Sequence, residues 1–220
     1  MPRHHEPDRS FIPALRYDLI TPLYDVVIRM TLPERRFKLR LVDAAHLTAG
    51  HQVLDVGCGT GTLLILAANR APGANLTGID ADERILSRAR RKIDRAGLSV
   101  RLDQGSATAL PYADGSFDRV ISSLVFHHLT AAEKQIAFAE AFRVLRLGGE
   151  LHLGDFGEPD SRLMRIVSLL TEKVGREHVQ ENFRGMLPAM ARQAGFSQVE
   201  DTARFHTAFG VLRCLRAARA

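Results

Sequence analysis

A glycine-rich stretch between residues 53 and 63 contains the residue types and spacing best suited to chemistry. An apolar run that includes Asp55 is followed by three glycines at alternate positions: Gly57, Gly59 and Gly61. Glycine permits backbone conformations that a β-carbon obstructs, and it leaves room for a ligand on the turn. The stretch therefore predicts a strand, a tight turn and a helix whose first N–H groups face a ligand.

The spacing of these glycines argues against two common nucleotide sites. A dinucleotide fingerprint requires glycine at its first, third and sixth positions, whereas Thr62 occupies the sixth position here. A phosphate-binding loop ends in Gly-Lys-Ser/Thr, and no lysine follows Gly61. Binding of nicotinamide, flavin or triphosphate is therefore disfavoured, and a glycine turn without a ligand remains an alternative.

Asp80 ends the next apolar run, 23 positions after Gly57. That distance is close to the spacing at which an acidic residue at the end of a second strand reaches a ribose bound on the first turn. Aspartate also caps helices readily, so a cap for the following helix is the alternative role.

His127 and His128 follow a predicted fourth strand at residues 117–123. Imidazole titrates near neutrality, so both are candidates for a general base. The alternative is that one packs against the sheet and the other is polar lining. His152 lies inside an apolar strand and is interpreted as a core histidine, and Asp155 at the carboxyl end of that strand is predicted to line the pocket.

Strands that alternate with helices must position these residues. Residues 82–96 are predicted to be helical, and Gly148-Gly149 is predicted to end a helix with Ile136, Ala139 and residues 141–145 on its core face. A strand is predicted near residues 198–200, and a last strand at residues 205–214. Residues 11–30 have apolar residues at helical spacing interrupted by two prolines, which indicates two short helices. The order predicts a mostly parallel sheet covered on both faces, with ligands at the carboxyl ends of its strands.

Composition limits the class of protein. The 220 residues, 45% hydrophobic and 25% charged, fit one globular domain. Cys58 and Cys214 show no framework of spacings, which favours a reducing cytoplasm. No signal peptide and no apolar run of 18 residues occurs, so we expect neither export nor a membrane span. The net charge of +5 comes from dispersed basic residues, so no nucleic-acid partner is expected.

The motif order resembles the class I S-adenosylmethionine-dependent methyltransferases over residues 50–156. Five segments are similar to the ubiquinone and menaquinone biosynthesis methyltransferase group: residues 17–19, 110–112, 116–118, 127–129 and 145–149. This resemblance implies an α/β, Rossmann-like fold with a mostly parallel seven-stranded sheet, helices on both faces and an amino-terminal helical lid. It implies one domain over residues 1–220, with amino-terminal helices at 1–48, a cofactor-binding core at 50–156, and substrate-side helices and last strands at 157–220.

The same resemblance assigns S-adenosyl-L-methionine as the cofactor and S-adenosyl-L-homocysteine as its product. Asp55 and the three glycines would hold the methionine portion, Asp80 the ribose, Ala81 the adenine face, and Ser106 and Ala107 its edge, where the group usually has aspartate at position 106. The full set of implied cofactor residues is Tyr17, Asp55, Gly57, Cys58, Gly59, Gly61, Asp80, Ala81, Ser106, Ala107, Ser122 and Ser123. No metal is expected, because catechol-type methyltransferases place acidic magnesium ligands where this chain reads Ser-Ser-Leu-Val-Phe.

The function implied is methyl transfer to a small, apolar or aromatic molecule by a monomer or homodimer. A carboxyl-terminal apolar pocket is predicted from Phe183, Met186, Leu187, Met190, Phe205 and Phe209. Two alternatives stay open: an RNA or protein methyltransferase, favoured by the basic balance, and a non-catalytic S-adenosylmethionine-binding regulatory protein, favoured by Ser106.

Overall fold

A seven-stranded sheet organises the computed structural model, which describes residues 34–173 and 179–220. The predictions made for residues 1–33, the helices of the lid included, lie outside the described residues. The strands are β1 (Gln52–Val56), β2 (Asn75–Asp80), β3 (Arg101–Gln104), β4 (Phe117–Ser123), β5 (Leu145–Gly157), β6 (Ser197–Thr207) and β7 (Gly210–Ala218). The helices are α1 (Glu34–Ala44), α2 (Thr62–Arg70), α3 (Glu83–Arg95), α4 (Ala131–Val144), α5 (Arg162–Lys173), α6 (Gln180–Phe183) and α7 (Leu187–Gln193), with a short 3-10 helix at Phe126–His128.

The spatial order of the strands is β3-β2-β1-β4-β5-β7-β6. The first five strands pair in parallel, and β7 is antiparallel to both of its neighbours. This arrangement confirms the predicted seven-stranded, mostly parallel sheet. Because β1 through β5 run the same way, their carboxyl ends meet at one edge, which we call the carboxyl edge.

Helices cover both faces of the sheet. Consecutive strand residues point to opposite sides, so each strand contributes side chains to both faces. Leu54 belongs to an apolar cluster that includes Phe138 of α4 and Met190 of α7. Val53 belongs to a second cluster that includes Phe37 of α1 and Leu86 of α3. Both clusters consist of buried side chains, so each face of the sheet has its own core.

Helix α1 runs opposite to the parallel strands and begins at the carboxyl edge. Its Phe37 is fully buried, and a β-carbon at Gly154 of β5 would lie 2.5 Å from Cζ of that ring. Beyond the other end of α1, Ala45 O accepts a hydrogen bond of 3.0 Å from Arg119 Nε in the first half of β4. The first residues of α1 therefore lie at the edge where ligands are expected.

The prediction that Gly148-Gly149 ends a helix was wrong. Helix α4 ends at Val144, and β5 begins at the next residue. Phe117 pairs with Leu145 but Arg119 pairs with Glu150, so the glycines lie in a bulge of β5. The carbonyl groups at the end of α4 accept hydrogen bonds from a residue that is distant in sequence. Arg219 Nη1 donates to Phe142 O and Arg143 O at 2.8 Å each.

The predicted core face of α4 was wrong at Ile136 and Ala139, although Ala141, Val144 and Leu145 are buried as predicted. Ile136 is 47% exposed and Ala139 is exposed, whereas Lys134 is fully buried. Lys134 Nζ lies 2.8 Å from Glu181 Oε2 of α6, which compensates the buried charge. Lys134 can therefore lie on the buried face beside Ala137 and Phe138, because its partner 47 residues away compensates its charge.

The strand predicted near residues 198–200 lies in β6, but the predicted last strand at 205–214 was wrong, because it spans the end of β6 and the start of β7. Thr207 pairs with Gly210, so β6 and β7 form a hairpin with a two-residue loop, Ala208-Phe209. Hairpin loops of this length usually contain Asn-Gly or Asp-Gly, and this loop contains neither. Gly210, at φ +135°, supplies the unusual backbone conformation after the loop.

A charged cluster ties β5 to its two neighbours in the sheet. Glu150 Oε1 accepts a hydrogen bond from Arg216 Nε of β7 at 3.1 Å, and Arg119 Nε of β4 lies 3.7 Å from Oε2. His152 Nε2 lies 3.0 Å from Glu150 Oε2. The hydrogen bonds from His152 and Arg216 hold the pKa of Glu150 well below its ordinary value. Burial lowers the pKa of His152, so a neutral ring donates from Nε2.

We expect Glu150→Gln to lower the free energy of unfolding at pH 7 by about 1–3 kcal/mol, because a charged hydrogen-bond acceptor is lost from a mostly buried cluster. A carboxyl group with a depressed pKa stabilises the fold above its unfolded pKa near 4.5, and this contribution falls as the pH drops further. Urea unfolding should therefore show a difference from wild type that shrinks below pH 4.5. Glu200→Gln is the control, since that side chain also pairs with Arg216 but is 58% exposed. An equal loss in both variants would contradict the assignment.

Candidate functional site

The glycine turn joins β1 to α2 at the carboxyl edge. Gly57, Gly59 and Gly61 have φ values of +68°, +54° and +74°, a region that favours glycine. The N–H groups of Gly57 and Cys58 donate to Ile79 O of β2 at 2.8 and 3.0 Å. A β-carbon at Gly57 would lie 2.3 Å from Val125 Cγ2. The turn is thus held between the end of β2 and the segment after β4.

Asp80 faces this turn from the end of β2. Its Oδ2 accepts a hydrogen bond of 2.9 Å from the N–H of Gly59, and its Oδ1 accepts one of 3.1 Å from the N–H of Asp82. The residue that caps α3 is Asp82, whose side chain accepts from Arg84 N at 2.8 Å. The alternative role of Asp80 as helix cap was therefore wrong, and its half-buried carboxylate belongs to the site.

The residues predicted at the adenine lie beside Asp80. Ala81 follows it directly and is exposed, and Asp80 O accepts from Gly105 N at 3.0 Å, which places Ser106 at the same edge. Ser106 Oγ is 2.7 Å from Thr108 Oγ1 and accepts from Thr108 N at 3.2 Å. Ala107 is half-buried. The Ser106 hydroxyl is thus already engaged in its own turn.

Asp55 lies beneath the turn and is 1% exposed. Its Oδ2 has no hydrogen-bond partner among the described residues. Burial raises the pKa of Asp55 to about 7, and Lys38 of α1 opposes that shift. A buried carboxylate oxygen without a partner is suited to a donor group of a ligand.

The start of α2 offers the complementary charge. Its N-cap residue Gly61 makes no side-chain capping bond, so the first turn keeps N–H groups that attract an anion. Lys92 Nζ donates to Thr62 Oγ1 at 2.6 Å in the same turn. An acceptor at Asp55 and an anion-attracting helix start together fit a ligand that carries both an ammonium and a carboxylate group.

The two serines at the end of β4 differ in their surroundings. Ser122 is 1% exposed, and its Oγ donates to Val56 O at 2.7 Å, so it holds β4 against β1. Ser123 is partly exposed at the edge. Leu124 then adopts φ +60°, which is uncommon for a residue with a β-carbon, and its N–H donates to Gly154 O at 2.8 Å.

His127 forms a buried pair with Asp155 at the end of β5. His127 Nδ1 lies 2.9 Å from Asp155 Oδ1, and the two residues are 6% and 1% exposed. Burial alone would raise the pKa of Asp155, but His127 and the N–H of Phe156 hold it below its ordinary value. The ionised carboxylate can only accept, so His127 Nδ1 is the donor.

Asn182 of α6 completes this arrangement. Its Nδ2 donates to Asp155 Oδ1 at 3.3 Å and to Phe156 O at 3.2 Å. His128 is exposed, and its ring centroid lies 3.9 Å from that of His127. Sequence reasoning placed Asp155 in the pocket but missed its pairing with His127 and missed Asn182, because neither pairing has a local motif.

A cleft of about 290 Å³ lies beside the carboxyl end of β5. Its wall includes Asp155, Leu187 and Leu215, and its rim includes Glu158 and Arg213. The other aromatic and methionine residues predicted for an apolar pocket do not line it: Phe183 and Met190 are packed in the core, Met186 is 39% exposed, and Phe205 and Phe209 are half-buried.

Tyr17 lies outside the described residues.

Within residues 34–173 and 179–220, no group of three His, Cys, Asp or Glu side chains could hold a metal ion. No helix in the same ranges is long and apolar enough to cross a membrane. Cys58 is buried, and burial raises the pKa of its thiol.

Known proteins resemble the chain in sequence. Residues 53–149 match a family described as "Methyltransferase domain". Demethylmenaquinone methyltransferase of Thermus thermophilus is 39% identical over 142 residues, which are 64% of this chain and 64% of that protein. The ubiquinone/menaquinone biosynthesis C-methyltransferase of Dinoroseobacter shibae is 31% identical over 212 residues, covering 85% of this chain and 80% of that protein. The chain thus spans less than two thirds of the first of these relatives and four fifths of the second.

A solved structure agrees with the fold. A putative methyltransferase from Bacillus halodurans superposes with a TM-score of 0.67 at 27% identity, covering 77% of this chain and 72% of that one.

We expect Gly57→Ala to lower the free energy of unfolding by more than about 2 kcal/mol, because it combines left-handed backbone strain with the contact to Val125. Gly59→Ala is the matched control, since its β-carbon would meet nothing within 4 Å and only the strain of about 1–2 kcal/mol applies. Adding Val125→Ala should recover part of the loss in Gly57→Ala. Equal losses at positions 57 and 59, measured by urea unfolding, would show that the contact is unimportant.

Proposed function

The chain belongs to the class I S-adenosylmethionine-dependent methyltransferase family, and on that basis we propose that it transfers the sulfonium methyl group to a small, apolar or aromatic molecule. The observation that carries this proposal is the contact between Asp80 and the N–H of Gly59, which sets a carboxylate against a turn of left-handed glycines at the carboxyl edge. Ligands of parallel α/β sheets bind at this place.

The residues fit the parts of S-adenosylmethionine in order along the edge. The unpartnered Oδ2 of Asp55 suits the methionine ammonium, and the uncapped start of α2 suits its carboxylate. Asp80 would accept from the ribose hydroxyls in place of its bonds to backbone N–H groups. Ala81, Ser106 and Ala107 would surround the adenine, with Ser106 offering a hydroxyl where the family usually has a carboxylate. The remaining assigned residues are Tyr17, Cys58, Ser122 and Ser123.

The cofactor supplies an electrophilic methyl group on a sulfonium, and the protein mainly has to align donor and acceptor. Alignment of this kind can contribute about 7–11 kcal/mol. A base is needed when the acceptor must lose a proton, as it does when an aromatic carbon is methylated. His127 is the candidate, because Asp155 fixes its Nδ1–H and leaves Nε2 to accept a proton.

The acceptor is proposed from the relatives, two of which are named for quinone biosynthesis. An apolar quinol fits their names, and the carboxyl-terminal part at 157–220 would supply its contacts. Residues 1–48 would cover the site, and residues 50–156 would bind the cofactor within one domain. The protein would act as a monomer or homodimer.

RNA as the acceptor is the second candidate, favoured by the exposed basic face of α3. This face carries Arg84, Arg88, Arg90, Arg91 and Arg95. Retention on RNA that falls steeply with salt would support it.

We expect calorimetric titration to show saturable binding of S-adenosylmethionine and S-adenosylhomocysteine, and none of NAD. Asp80→Ala should weaken binding by about 10- to 100-fold, because it removes a carboxylate that accepts from the ribose. Ser106→Asp should tighten binding by about threefold to tenfold, since it adds a charged acceptor at the adenine edge. Asp94→Ala, an exposed carboxylate on α3, is the control. Absence of binding by folded wild-type protein would overturn the proposed cofactor.

We expect His127→Gln and Asp155→Asn to lower kcat by about 10²- to 10⁴-fold with a short-chain demethylmenaquinol as acceptor, while S-adenosylmethionine affinity stays unchanged. His128→Gln is the matched control, because the His128 ring is exposed, whereas the His127 ring is buried against Asp155. If His128→Gln lost as much activity as His127→Gln, the assignment of the base would fail.

A further inference from the structure

Helix α5 exposes a stripe of large apolar side chains, Leu163, Ile166, Leu169 and Leu170, which we call the α5 stripe. They are 66%, 56%, 55% and 59% exposed. Their spacing of three or four residues puts them on one side of the helix. The opposite side holds the helix in place, since Ser168 is buried and Thr171 Oγ1 donates to Phe209 O at 3.0 Å.

The α5 stripe is unusual for this protein. The other large apolar side chains exposed in the described residues, Ile136, Leu147 and Met186, lie on separate segments. Scattered exposed apolar residues need no explanation, whereas a contiguous group on one helix marks an interaction surface.

Basic residues accompany the α5 stripe. Arg162 and Arg165 are exposed and form no ion pair within the described residues. Residues 1–33 contain four basic and four acidic side chains, so the whole net charge of +5 lies in residues 34–220. An apolar face accompanied by arginine is the pattern of a helix that lies at the surface of an anionic bilayer, where phosphates attract the guanidinium groups.

The length and place of α5 agree with a surface position. Twelve residues extend about 18 Å, too short to cross a bilayer. The helix follows the carboxyl end of β5 and touches the β6–β7 loop, which lies at the carboxyl edge because Gly157 pairs with Val211. His127 and Asp155 lie at that same edge.

We propose that the α5 stripe docks this protein on an anionic lipid bilayer, with the four apolar side chains in the headgroup region and Arg162 and Arg165 on lipid phosphates. The surface would bring an apolar acceptor dissolved in the lipid to the edge that holds His127. This part of the inference rests on the proposed function, whereas lipid binding itself does not.

Co-sedimentation of the full chain with vesicles of phosphatidylcholine containing phosphatidylglycerol tests the proposal without cofactor or acceptor. We expect binding that weakens in pure phosphatidylcholine and at high salt. Ile166→Ser/Leu170→Ser should weaken binding by about tenfold or more, and Arg162→Gln/Arg165→Gln should remove most of the dependence on anionic lipid. Leu147→Ser, at a 74% exposed leucine elsewhere, should bind as wild type.

Failure to sediment with anionic vesicles, or equal sedimentation of all variants, would overturn the proposal. The proposal would also be overturned if Ile166→Ser/Leu170→Ser left lipid binding intact but lowered the Tm. That result would mean that residues 1–33 cover the α5 stripe. If Ile166→Ser/Leu170→Ser changed the molar mass measured by light scattering while lipid binding stayed intact, the proposal would likewise fail. The α5 stripe would then be a contact with a second copy of the chain. Titration with S-adenosylmethionine on the same samples separates this result from failure of the proposed function, because the stripe variants should bind it normally.

Discussion

The close approach of three backbone segments at Gly57 is the constraint on which the site depends. The end of β1 meets Ile79 O of β2 through two N–H groups, and the segment after β4 brings Val125 to where a side chain at position 57 would stand. This contact fixes the turn against its neighbours before any ligand arrives. Asp80, one residue beyond Ile79, can then reach the N–H of Gly59, and Asp55, two residues before Gly57, stays beneath the turn. A single backbone geometry therefore sets the relative positions of both carboxylates.

The second half of the site depends on strand pairing rather than on a turn. Ser123, the last residue of β4, pairs with Gly154, so the segment that follows β4 lies beside the last residues of β5. Leu124, with φ +60°, turns the chain so that the 3-10 helix carries His127 back over Asp155. The pair is buried, which strengthens its hydrogen bond. The position of His127 thus follows from parallel register plus one unusual residue.

Local patterns were sufficient to predict the elements around the glycine turn. The strand, turn and helix at residues 53–63, the strand that ends at Asp80 and the helix at residues 82–96 each depend on neighbouring residues. The structure contains all of them. The errors occurred where distant partners decide. Arg219 satisfies the end of α4, Glu181 draws Lys134 inward in place of Ile136, and the hairpin loop at Ala208 has no turn signature. The pairing of His127 with Asp155 was missed for the same reason, since it joins residues 28 positions apart.

The same difference between local and distant determinants distinguishes the glycine turn from the cleft. The family match covers residues 53–149, which contain the glycine turn, Asp80 and the histidines. Asp155, Asn182 and the wall of the cleft all lie beyond it. Backbone N–H groups and glycine conformations form the turn by rules that many sequences can meet, whereas side chains from β5, α6, α7 and β7 line the cleft. Charged pairs there, such as Arg213 Nη1 with Asp201 Oδ2 at 2.7 Å, make the rim polar while Leu187 and Leu215 keep the wall apolar. Selectivity for an acceptor with an apolar body and a polar end would arise from that contrast, which the methyl-donor motifs do not encode.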